Sequence, residues 1–332
     1  MAKRVSLKDI AAKVGVSTAL VSYVINGQEK EKRVGKEIVE KIRQATEELN
    51  YRPNQIARSL RKGTTNTLGL IVADIANPFF GHLARIIEDE ASTNNYVVIL
   101  GSSDEDSRKS ASLTEIFLNR QVDGFILIPS EGDHELVQSL VEKNIPLVLI
   151  DRCFPEIETS FVILDNHQAT YQATLRLIKQ GCRKIKMVAY NSSLHHMNER
   201  IRGYSDAMTE ENLQEYICVE KVENQKEEMS TRMDEIIQKE ETEAIVFATN
   251  TLSIAGLYAI QRNNILIPDD LLVIGFDGNE AFDFFSPPIT YIEQPLMDIG
   301  KKAVHAVLQH INGLEQKTQV KLRSSLIERY SG

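Results

Sequence analysis

Residues 3–27 read KRVSLKDIAAKVGVSTALVSYVING. Leu7, Ile10, Ala11 and Val14 recur at helical spacing and predict a short helix with one apolar face. Gly15 can adopt the left-handed backbone that ends such a helix. Ser17 is a good N-cap for a second one, with Leu20, Val21 and Val24 inward and Thr18, Ala19, Ser22 and Tyr23 outward. Two short helices about a glycine turn are the sequence form of a helix-turn-helix, whose second helix enters the DNA major groove. A third helix over 36–50, capped at Gly35, with Ile38, Ile42, Ala45 and Leu49 on one side, would close a small apolar centre, and Val34 can staple against Val39.

The same pattern fits a small helical bundle with no DNA role, and charge separates the two readings. The first 62 residues carry 14 Lys and Arg against 7 Asp and Glu, and the other 270 carry 24 against 40. A basic head on an acidic body confines any phosphate-binding surface to the head. With 332 residues, 42% hydrophobic and 26% charged, the chain can hold two or three ordinary globular domains. Cys153, Cys182 and Cys218 lack any paired or metal-like spacing and read as free thiols of a reducing compartment. No signal-peptide core is visible, and no apolar run approaches the ~18 residues of a membrane span. A cytoplasmic location is therefore expected.

Residues 51–63, YRPNQIARSLRKG, place Pro53 and Gly63 where a helix starts and stops. Helices shorter than ~12 residues are marginal alone in water, so this segment is expected to order on a partner. Arg52, Arg58, Arg61 and Lys62 surround Leu60. The pattern suits a minor-groove wedge, with a flexible basic linker as the alternative.

From Thr67 onward apolar runs alternate with helical patterns. Strands are expected at 68–72, 96–101, 124–128, 147–151, 161–164, 184–189, 217–219, 244–248 and 272–276. Helices are expected at 80–94, 107–120, 134–143, 167–180, 199–212, 229–239 and 252–263. This rhythm predicts parallel sheets covered on both faces, which bind ligands beyond the carboxyl ends of their strands. Those positions hold DIANPFF at 74–80, then 102–106, 129–131, Asp151-Arg152, Asp165-Asn166, 191–193, Asn250 and Asp277. Carboxylates, amides and adjacent phenylalanines suit a polyhydroxylated ligand, although single Asp and Asn residues there can simply cap turns.

The stretches LKDIAAKVGVS (7–17), VSYVING (21–27), LNYRPNQIARSL (49–60) and TLGLIV (67–72) resemble the lactose-repressor/galactose-repressor (LacI/GalR) family of bacterial transcription regulators. NPFF (77–80), LIDR (149–152), LDN (164–166), RIRGY (200–204), FATN (247–250) and VIGFDG (273–278) extend the resemblance to the body. It implies an all-α helix-turn-helix head and an α/β body of two parallel-sheet lobes like periplasmic sugar-binding proteins of type I. The implied divisions are a DNA-binding domain (1–50), a hinge helix and linker (51–66) and an effector and dimerisation domain (67–332). Lobe one would be 67–164 plus 294–321, and lobe two 165–293 plus 322–332.

By the same resemblance Thr18, Ala19 and Tyr23 occupy base-reading positions, and Ser17, Ser22 and Asn26 lie near phosphates. Arg52, Asn54, Ala57 and Leu60 form the hinge contacts, with Leu60 intercalating in the minor groove. Phe79, Phe80, Asp151 and Arg152 would line the effector cleft from lobe one, and Arg200, Asn250 and Asp277 from lobe two. Tyr23 stands where many members have Arg and cannot make the bidentate contact to guanine; Thr251 stands where many have Asp. The implied protein is a repressor on double-stranded, pseudo-palindromic operator DNA, switched by a small molecule, a sugar or sugar phosphate. The chain ends soon after residue 329 with no leucine heptad, which points to a homodimer.

An enzyme is the rival class. No GxGxxG, GxSxG or P-loop is present. His195-His196 lacks a third ligand at credible spacing and reads as a pair of solvated loop histidines. No cofactor or metal is expected. A secreted sugar-binding protein would explain the body but not the head.

Overall fold

In the first compact unit, Met1–Thr65, the Asp9 carboxylate accepts from the Ser6 amide at 2.8 Å and the Ser6 hydroxyl at 2.7 Å. This fixes the start of α1 (Leu7–Val14), and Gly15 ends it at φ +76°. Ser17 Oγ then accepts from the Leu20 amide at 3.2 Å and starts α2 (Thr18–Ile25). With α3 (Lys36–Glu48), these helices bury Ile10, Ala11, Val21, Val24, Ile42 and Ala45 in one small core. The computed structural model describes residues 5–51, 63–220, 226–238 and 242–332. The expected hinge helix, with Arg52, Asn54, Ala57 and Leu60, lies outside the described residues.

The second unit, Asn66–Gly332, begins with β1 (Thr67–Val72), α4 (Pro78–Thr93), β2 (Val97–Ser102), α5 (Ser107–Asn119), β3 (Gly124–Leu127), α6 (His134–Glu142), β4 (Leu147–Ile150) and β5 (Ser160–Leu164). It continues with α7 (Asn166–Lys179), β6 (Ile185–Tyr190), α8 (His195–Glu210), β7 (Tyr216–Glu220), α9 (Lys226–Gln238), β8 (Ala244–Phe247), α10 (Asn250–Arg262) and β9 (Leu272–Phe276). The last elements are α11 (Glu280–Phe284), β10 (Thr290–Glu293), α12 (Leu296–Ile311), β11 (Gln319–Leu322) and β12 (Ser325–Ile327). The strands form two six-stranded sheets, ordered β11-β5-β4-β3-β1-β2 and β12-β10-β9-β8-β6-β7.

Helices cover both faces of each sheet. In the first, α4 and α12 pack Leu83, Ile87, Val304 and Val307 on one face, and Phe117, Val137 and Leu140 pack on the other. In the second, α7 and α8 supply Leu177, Tyr204 and Met208, opposite Met233, Leu257 and Ile260. This double cover is why most strands read as unbroken apolar runs.

Both lobes carry the expected parallel sheets, with one antiparallel strand added: β12 runs against β10. β11 runs toward the carboxyl ends of the first sheet, and only residues 323–324 separate it from β12. A link that short enters the second sheet at its carboxyl end, so β12 must run back the other way. Leu322 pairs with Leu164, so the first sheet keeps it and the crossing falls one residue later than expected. The short elements α11, β10, β11 and β12 also escaped the apolar rhythm.

Candidate functional site

The carboxyl ends of β1–β4 face those of β6, β8 and β9 across a cavity of about 680 Å³, a volume suited to a small molecule. Phe79, Phe80, Asp151, Arg152, Arg200, Asn250 and Asp277 all line it. Asn77 Oδ1 accepts from the Phe79 amide at 3.1 Å and Pro78 opens α4. That cap fixes the two phenylalanine rings edge to face, 5.0 Å apart. Asp151 and Asp277 leave their strands with φ of +63° and +58°, a left-handed turn that Asp tolerates better than most residues.

Two guanidinium groups frame the inner wall. Arg152 donates from Nη1 at 2.7 Å and Nη2 at 2.6 Å to the two oxygens of Glu105. Burial works against its charge, but the Glu105 carboxylate outweighs this and holds the guanidinium above its ordinary pKa. Arg200, 3% exposed, donates from Nε to Asn166 Oδ1 and from Nη1 to the Ala248 carbonyl, each at 2.7 Å. Its guanidinium lies 3.7 Å from the centroid of the Phe276 ring. Gly203 makes this placement possible: a Cβ there would sit 2.1 Å from the His167 carbonyl oxygen. The bare glycine lets α8 approach α7 closely enough for Thr170 Oγ1 to donate to the Arg200 carbonyl at 2.7 Å.

Asp277 accepts from Gln294 Nε2 at 2.8 Å. Burial pushes its carboxyl up to about 6, against the opposing pull of Arg200 and Gln294. His196 belongs to the first turn of α8 and is 6% exposed. Burial, reinforced by Arg152 and Arg200, holds its imidazole well below the usual range, so it is neutral. The reading of solvated loop histidines therefore fails for His196: the helix starts four residues before its expected N-terminus and carries this ring into the cavity wall. Tyr190, Thr249 and Thr251 also line the cavity, and burial pushes the Tyr190 hydroxyl up to about 12. Glu105 and Asn166 fell within the strand-end segments already singled out. Nothing in the periodicity marked Tyr190, the last residue of an apolar strand, or Gln294.

The two lobes also touch directly. Asn250 Nδ2 donates to Asn77 Oδ1 at 2.8 Å, and Asn77 Nδ2 donates back to Asn250 Oδ1 at 3.2 Å. The Ser193 amide donates to Glu131 Oε1 at 2.7 Å. Asn250, expected as an effector contact, thus pairs with a residue of the opposite lobe.

On the head, Ser17, Thr18 and Ala19 are exposed at the start of α2, and Ser22, Tyr23 and Asn26 are half-buried. Asn26 Nδ2 donates to the Ser22 carbonyl at 2.7 Å and to its hydroxyl at 3.1 Å. Lys32 Nζ stands 5.9 Å from the Tyr23 ring centroid. Among the described residues no group of three or more His, Cys, Asp and Glu could hold a metal ion. No described helix is long and apolar enough to cross a membrane.

Known proteins share both parts. Residues 6–54 match the family described as bacterial regulatory proteins, lacI family, and residues 174–331 match the periplasmic binding protein-like domain. The transcriptional repressor PurR of Aliivibrio fischeri is 31% identical over 339 residues, covering 98% of this chain and 99% of the relative. The ribose operon repressor of Haemophilus influenzae is 32% identical, covering 92% of each chain. Among solved structures, the complex of the transcriptional regulator CelR with cellobiose has a TM-score of 0.74 at 26% identity, covering 99% of this chain and 100% of that one. This chain belongs to the lacI family of bacterial regulatory proteins and is a DNA-binding transcriptional regulator.

Proposed function

We propose that the chain is a cytoplasmic, homodimeric repressor whose operator affinity is set by a small molecule held between the two lobes. The convergence of all seven expected effector residues on one cavity supports this reading most strongly. Residues 1–50 bind DNA, residues 51–66 form the hinge, and residues 67–332 bind the effector and dimerise. Thr18, Ala19 and Tyr23 read bases, Ser17, Ser22 and Asn26 meet phosphates, and Leu60 wedges into the minor groove. Arg200, Asn250, Asp151 and Asp277 hold effector hydroxyls, and Phe79 and Phe80 pack on the ring. A sugar or sugar phosphate is the expected effector class, consistent with relatives named for ribose and cellobiose. Relatives named as transcriptional repressors support reading the chain as a regulator rather than an enzyme.

Lobe closure on the effector changes DNA affinity by the effector's differential affinity for the two lobe arrangements, typically ~1–3 kcal/mol. Selection from a random pseudo-palindromic DNA library, followed by fluorescence anisotropy, tests the proposal. Sequence-specific binding that weakens with salt and shifts with a cleft ligand is expected; no specific binding with or without ligand refutes it.

A further inference from the structure

The charge arrangement in the cleft bears on what kind of sugar it takes. A phosphate ester binds through cations whose charge is not already balanced, and here carboxylates outnumber the cations and two of the three guanidinium groups are ion-paired. Both Nη atoms of Arg152 go to Glu105, and its Nε lies 3.5 Å from Asp151. Arg200 is held by Asn166 and the Ala248 carbonyl and faces Phe276. Arg108 lies 3.0 Å from Asp106, which it also chelates through its Nε. Seven carboxylate side chains line the cavity against three guanidinium groups. A dianion placed there meets Asp151, Asp277 and Glu131, and among the described residues the one cation left to offset them is Arg200, whose charge already faces Asp277 and Asp151.

Paired ions do suit hydroxyls. A guanidinium–carboxylate pair offers donors and lone pairs together at no net charge, and a hydroxyl both donates and accepts. Two buried atoms of the cavity wall, Arg152 Nε and His196 Nδ1, have no hydrogen-bond partner. Burial, reinforced by the charges of Arg152 and Arg200, keeps His196 neutral, so it adds no cation.

We propose that the effector is an uncharged polyhydroxylated molecule and that the cleft discriminates against its phosphate ester, a proposal that rests on the reading of the cleft as the effector site. Glu105 is the residue that sets this selectivity, by neutralising Arg152.

Thermal unfolding of the full chain in sodium phosphate, against sodium chloride of matched ionic strength, tests the charge claim without knowing the sugar. The wild type should respond equally to both salts. Glu105→Gln, which frees the Arg152 guanidinium, should gain a phosphate-specific stabilisation, with an apparent Kd for inorganic phosphate at least tenfold lower. Saturable phosphate stabilisation of the wild type, or a Glu105→Gln protein indistinguishable from it, overturns the proposal. Ribose, glucose and cellobiose are then each compared with their own phosphate esters by calorimetry. The parent sugar that binds should do so at least 30-fold more tightly than its ester; an ester that binds equally well overturns the proposal. Loss of that sugar's binding in Asp277→Ala places it in the cleft. Retention would refute the cleft reading instead, leaving the phosphate titration to judge the charge claim.

Discussion

Replacing Asp277 with Asn should stabilise the protein at neutral pH while weakening effector binding. Asp277 is buried beside Arg200 and bonded by Gln294, yet burial outweighs both and its pKa is raised from 3.8 to about 6. A carboxyl whose folded pKa exceeds its unfolded value favours folding in its protonated form. That contribution is fully present below about 3.8 and is lost as pH rises through about 6. At about 1.4 kcal/mol per pH unit the rise corresponds to roughly 3 kcal/mol that the native state forgoes at pH 7. An Asn of the same shape keeps the oxygen that accepts from Gln294 and carries no charge to desolvate. Urea unfolding of the body, followed by far-UV circular dichroism at pH 4 and pH 7, reads the difference. The two proteins should be nearly equal at pH 4, and Asp277→Asn should lead by about 1–3 kcal/mol at pH 7. Parallel pH profiles, or a variant less stable than wild type at pH 7, would refute the reasoning. The predicted lead of Asp277→Asn at pH 7 would mean that the carboxylate is kept at a cost in stability for the sake of the ligand.

Two other substitutions probe closure and output. Asn77→Ser keeps an N-cap for α4 but removes the two reciprocal amide bonds with Asn250; at ~0.5–1.5 kcal/mol per neutral hydrogen bond, calorimetry should show effector Kd raised about 5- to 150-fold with little change in Tm. Leu60→Ala should weaken operator binding at least tenfold by anisotropy while leaving effector affinity unchanged, because the wedge acts only on DNA; equal operator affinity would remove Leu60 from the interface.

Much of this protein was legible in its sequence because its elements obey simple periodicities. The Gly15 turn, the Ser17 cap and the buried Ile10, Val21 and Ile42 follow from residues within a few positions of one another. Strand-end residues could be singled out because doubly covered parallel strands are apolar and end abruptly in polar side chains. What escaped depends on contacts distant in sequence. Asn77 and Asn250 pair across 173 positions, and Arg152 reaches Glu105 across 47. His196 was misplaced because α8 has Leu194 at its N-cap, with no side-chain hydrogen bond to mark its start. β12 was invisible because three residues on a sheet edge carry no periodic signal.

The central claim is that occupancy of the cleft is read out as DNA affinity. The most direct test compares operator Kd with and without saturating effector for the wild type and for Arg200→Ala. The wild type should shift about 5- to 150-fold, in line with couplings of ~1–3 kcal/mol. Arg200→Ala should keep its ligand-free operator affinity within about threefold and show no shift, since only sub-kcal changes are expected at a site that does not touch DNA. A normal shift in the variant would contradict the account.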